Sequence, residues 1–138
     1  MVEISATYEG DLRTRAVHEE SGEILITDAP RDNGGRGKNF SPTDLVAVAL
    51  GTCVLTIMGI AAKKIGVDMQ GARVLVRKEM QPSPQRKIAK LHVDFFFPHA
   101  LEEAKREQLE KAAMNCPVHA SLHPDVEQKF TFNWGRQQ

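Results

Sequence analysis

The chain has 138 residues, the length of one domain, with 18 Lys+Arg against 18 Asp+Glu. That balance lacks the basic excess of a nucleic-acid binder and the net charge of a disordered acidic tail. Hydrophobic residues at 41% and charged residues at 26% give a globular composition, and two cysteines are too few for a disulfide-built secreted scaffold.

The first residues, Met1-Val2-Glu3-Ile4-Ser5, show neither the basic nor the apolar region of a signal peptide. The expectation is a soluble cytoplasmic protein, where a cysteine pair is redox-active, metal-binding or free rather than a permanent disulfide. Short strands are predicted at 4–8, 15–18 and 23–27, separated by turns at Glu9-Gly10-Asp11 and Ser21-Gly22. Residues 28–40 form a Gly-rich loop ahead of a helix. Neither Walker nor Rossmann spacing is present, so it reads as a plain connection.

Ser41-Pro42-Thr43-Asp44 supplies an N-cap, a proline at the first helical position and an acid two residues later, as in a capping box. The uncharged stretch Leu45–Ala62 follows, and Lys63-Lys64 and Gly66 end it. Its length reaches the threshold of a membrane span. Its Ala, Gly and Thr content, the lack of a Trp or Tyr belt and the amphipathic strands after it favour a buried helix, apolar all round, and no membrane. Such a helix needs cover on every face, more than this short chain supplies. A homodimer with two-fold symmetry is therefore expected.

Past the helix, Ala72–Lys78 reads as a strand and Pro82-Ser83-Pro84 as a turn. Ile88–Phe97 alternates, with Leu91, Val93, Phe95 and Phe97 on one face. Leu101–Met114 is an amphipathic helix with Leu101, Ala104, Leu109, Ala112 and Ala113 near one side. Val126, Gln128, Phe130, Phe132 and Trp134 mark a last strand. The order predicts a single α+β domain over 1–138, with a mainly antiparallel sheet and a long buried central helix.

Cys53 falls in the middle of the apolar helix, where a free cysteine packs as a small hydrophobe. Cys116 precedes Pro117 and sits near the N-cap of a short helix, a position that favours thiolate. On these grounds Cys116 is at least as good a nucleophile as Cys53. Cys116, His119 and His123 also have C-x2-H-x3-H spacing, a zinc alternative that Cys53 would complete.

Gly34-Gly35, Ser41-Pro42-Thr43-Asp44-Leu45, Gly51-Thr52-Cys53 and the distant Asn115-Cys116-Pro117-Val118 together resemble the OsmC/Ohr family of osmotically inducible and organic hydroperoxide resistance proteins. The resemblance covers residues 6–134. It implies an intertwined homodimer and a thiol peroxidase that needs no cofactor. Cys53 matches the peroxidatic cysteine and Cys116 the resolving one. The implied partners are a small hydroperoxide as substrate and a dithiol reductant.

The family also places an Arg and a Glu near the reactive thiol. Arg13 takes the Arg place, with Arg31 and Arg36 as substitutes. Thr43 stands where the Glu is expected, and Asp44 either serves one position later or only caps the helix. Asp44 and Cys53 are about 13 Å apart along one helix, so an acid serving the thiol would come from the second protomer. Without the Glu, the other reading is the same fold as a binding or structural protein without turnover.

Overall fold

The computed structural model describes residues 1–136. They form β1 (Ile4–Gly10), β2 (Arg13–His18), β3 (Ile24–Asp28), a 3-10 turn at Arg31–Asn33, α1 (Pro42–Lys64), β4 (Arg73–Gln81), β5 (Lys87–Phe97), α2 (Glu103–Ala113), α3 (Pro117–Ser121) and β6 (Glu127–Trp134). The fold is α+β, as expected. Its strands make two three-stranded sheets instead of one, β1-β2-β3 and β4-β5-β6. The chain divides into two compact units, Met1–Val46 and the part from Ala47 onward, each described by itself.

In the first unit the sheet is antiparallel throughout. Asp11 and Leu12 turn β1 into β2 at φ 53° and 61°. Two consecutive left-handed residues match the twist of the flanking strands. The buried residues of this unit are polar, namely Thr27, Asp28 and Ser41. Its apolar side chains are left at the surface. Ile4, Ala16, Val17, Ile24, Leu25 and Leu45 line an open groove of about 500 Å³.

The second unit holds the hydrophobic core. β5 is central, antiparallel to β4 and parallel to β6. The parallel pair departs from a purely antiparallel sheet. A parallel neighbour needs a long crossover, and the segment carrying α2 and α3 provides it. Leu91, Val93, Phe95 and Phe97 are all buried, as their alternation predicts. Phe95 stacks on Phe132 at 5.2 Å between ring centroids, and Phe97 on Trp134 at 3.8 Å.

The core face of α1 is the stripe Ala47, Leu50, Gly51, Val54, Met58 and Ala62. Gly51 sets the closeness of helix to sheet: a Cβ there would lie 2.9 Å from Val76 Cγ2 and 3.2 Å from Val74 Cγ1. Burial on every side is not observed within one chain, since Val48, Thr52, Thr56 and Ile60 are exposed on the opposite side. α2 starts two residues later than predicted, at Glu103. Leu109 and Ala113 are its buried residues, whereas Ala104 is exposed.

Candidate active site: a pair of thiols

α1 carries Cys53 in its middle, half-buried, and the turn between α2 and α3 carries Cys116, fully buried. The two residues, 63 positions apart in sequence (116 minus 53), are brought near each other, Cys53 packing against the core cluster that contains Cys116, and both thiols are free. Two cysteines on separate elements need not meet if each only fills space.

Cys116 is the N-cap of α3, as its position before Pro117 predicts, and its Sγ accepts from the His119 N–H at 3.4 Å. Burial pushes the Cys116 thiol up, and the bond to Cys53 pushes the same way. The N–H groups of His119 and Val118 pull against them. At Cys116 desolvation outweighs the short helix, so the net direction runs against the thiolate that the N-cap position favours.

The zinc alternative is not assembled. Among the described residues no group of three His, Cys, Asp or Glu is placed to hold a metal. His119 Nδ1 faces Gln128 Oε1 at 2.6 Å, and the exposed His123 lies beside Asp125 at 3.6 Å.

In the first unit Arg13 makes a two-pronged ion pair with Asp28, Nε to Oδ1 at 2.7 Å and Nη2 to Oδ2 at 3.0 Å. Asp28 is buried and also accepts from the Lys38 and Asn39 N–H groups and from Asn39 Nδ2. Arg36 pairs with Asp11, and Arg31 donates to the Arg36 carbonyl. Asp44 caps α1: its Oδ2 accepts from the Ser41 N–H at 2.8 Å while Ser41 Oγ accepts from the Asp44 N–H at 3.1 Å. The capping alternative for Asp44 is the one whose geometry is seen.

Asp28 was not among the residues singled out in the sequence. Its signal lay in the hairpin register, which sets Arg13 directly opposite it. The Arg13 guanidinium holds the Asp28 carboxyl well below the usual carboxylate range. A depressed folded-state value gives stability that is present above the unfolded value, about 3.9, and lost as the pH falls through the folded value. Asp28→Asn should therefore lower the urea midpoint at neutral pH and flatten its fall below about pH 4. A variant whose midpoint tracks the wild type across that range would show that the pair contributes nothing.

A family model described as OsmC-like protein matches residues 35–130. A solved structure from Psychrobacter arcticus 273-4, provisionally named as an osmotic stress induced and detoxification response protein, is 41% identical. It covers 96% of both chains with a TM-score of 0.91. An OsmC-like protein from Mycoplasma pneumoniae has a TM-score of 0.82 at 15% identity, over 99% of this chain and 98% of that one. An organic hydroperoxide resistance protein from Elizabethkingia anophelis has a TM-score of 0.77 at 16% identity, over 97% and 96%. The comparison with curated proteins gives no match. The thiol pair thus sits in a fold shared along nearly the whole chain, and this chain belongs to the family of OsmC-like proteins.

Proposed function

We propose that the protein is a thiol-dependent peroxidase that reduces organic hydroperoxides through a two-cysteine cycle. The observation that carries this reading is that two free thiols from separate elements, Cys53 and Cys116, are brought together at one core cluster. The Cys53 thiolate attacks the terminal peroxide oxygen. The O–O bond breaks, the alkoxide leaves and takes a proton to become the alcohol, and Cys53 becomes a sulfenic acid. The Cys116 sulfur then attacks the Cys53 sulfur, and the displaced hydroxyl leaves with the Cys116 proton as water. A dithiol reductant returns two electrons and two protons and is itself oxidised to a disulfide.

Cys53 is the less buried thiol and so the one a substrate reaches. Arg13, held by Asp28, is the thiolate's cation on the strength of the family resemblance. Asp44 enters as the helix cap. The active species is a cytoplasmic homodimer, with a second copy covering the apolar groove of the first unit and the exposed Val48 and Ile60 of the second.

The test is reduced protein treated with one equivalent of cumene hydroperoxide. An intramolecular Cys53–Cys116 disulfide is expected by mass spectrometry, and steady peroxide consumption once a dithiol is supplied. Consumption no faster than in protein-free buffer would leave the fold as a binding or structural module. Sedimentation of a monomer at micromolar concentration would remove the dimer from the reading.

A further inference from the structure

The turn that carries Cys116 is hydrogen-bonded to the sheet through the side chain of Gln128 of β6. Its Oε1 meets His119 Nδ1 at 2.6 Å, and its Nε2 donates to the His119 carbonyl at 3.3 Å. The two bonds assign each other: an amide whose nitrogen donates to a carbonyl must accept with its oxygen, so His119 Nδ1 carries a proton. The His119 ring also stands edge-on to Phe130 at 5.3 Å. The same residue, through its backbone N–H, donates to Cys116 Sγ.

Gln128 itself is held. It pairs with the buried Leu91 in the β5–β6 ladder, where its neighbours on the inward face are Val126 and Phe130. A polar residue in that apolar row needs partners, and both of its polar ends find them on His119. The α3 turn has only five residues and no buried side chain of its own to fix it. Beyond the buried Cys116 its packing comes from the partly buried Val118 and Leu122 and from the His119 ring on Phe130.

We propose that Gln128 and His119 are positioning residues for the second step of the cycle, holding the Cys116 sulfur against Cys53 so that disulfide formation outruns further oxidation. The inference rests on the two-cysteine reading given above. It concerns the fate of the Cys53 sulfenic acid, which has two exits. Attack by Cys116 gives the disulfide and water. Attack of the sulfenate sulfur on the terminal oxygen of a second hydroperoxide breaks its O–O bond and gives the sulfinic acid and an alcohol, and that exit is irreversible for most proteins. Displacing a reacting atom by about 1 Å can slow a step by about a hundredfold. A loosened turn therefore changes the partition between the exits and leaves the first oxidation alone.

The experiment compares wild type, Gln128→Leu, Gln128→Glu and His119→Phe, each treated with rising cumene hydroperoxide. Single-turnover loss of the Cys53 thiol gives the first step. Mass spectrometry of disulfide against sulfinic acid gives the partition. Gln128→Leu should keep the first rate within about twofold and slow disulfide formation by about ten- to a hundredfold, with sulfinic acid in its place. Gln128→Glu keeps an acceptor for His119 Nδ1 and should recover most of the wild-type partition. His119→Phe keeps a ring against Phe130 and should behave as Gln128→Leu does, which covers a Leu variant that does not fold.

Wild-type partition in Gln128→Leu or in His119→Phe would overturn the proposal, as would equal slowing of both steps. Failure of the underlying reading looks different: the wild type itself would form no disulfide.

Discussion

Cys53→Ser is expected to lose hydroperoxide reduction down to the rate of buffer, a fall on the order of 10³-fold or more, because no other group replaces a deleted nucleophile. The side chain is half-buried on α1, at the border of the Leu50, Val54 and Met58 stripe and packed against the core. A hydroxyl there keeps the shape and should leave the melting temperature nearly unchanged. Cys116 cannot substitute, since it is buried and its thiol is pushed up by that burial. Peroxide consumption by Cys53→Ser in the presence of a dithiol is the decisive measurement. Activity close to that of the wild type would place the chemistry elsewhere.

Cys116→Ser should separate the cycle into its halves. The serine hydroxyl can still accept from the His119 N–H, so the α3 cap survives. Cys53 should then consume one equivalent of hydroperoxide at the wild-type rate. It should stop as sulfenic acid, trapped by a dimedone-type reagent, and pass to sulfinic acid with excess oxidant. Sustained turnover of this variant with a dithiol alone would mean that the reductant resolves Cys53 directly and that Cys116 is dispensable.

Much of this arrangement was legible in the chain itself, and the limits have physical causes. The alternation of Leu91, Val93, Phe95 and Phe97 was readable because a strand with one buried face repeats every two residues. The caps at Ser41–Asp44 and Cys116–His119 were readable because they are local, with partners three residues apart. The half-covered state of α1 was not, since an uncharged helix looks alike whether its second face meets its own chain or another surface.

The parallel place of β6 was hidden for a related reason: strand order depends on the crossover, not on the strand's own pattern. The two cysteines and Arg13 were visible as residues. That the two thiols gather at one core cluster, that Asp28 is the acid on Arg13, and that Gln128 grips His119 are pairings across elements, which no single window of sequence contains.

The unequal burial of the two sulfurs gives the proposed cycle a direction on its return half. A thiol that opens a disulfide approaches along the S–S axis and expels the far sulfur. Cys116 has no exposed surface, whereas Cys53 is half-buried, so the incoming sulfur meets Cys53. The mixed disulfide then forms on α1, and Cys116 departs as the leaving thiolate. It departs into the N–H groups of His119 and Val118, the groups that favour its charged form. In the proposed cycle the reductant accordingly meets the fold at Cys53, and the crossover segment between β5 and β6 need never open to admit it.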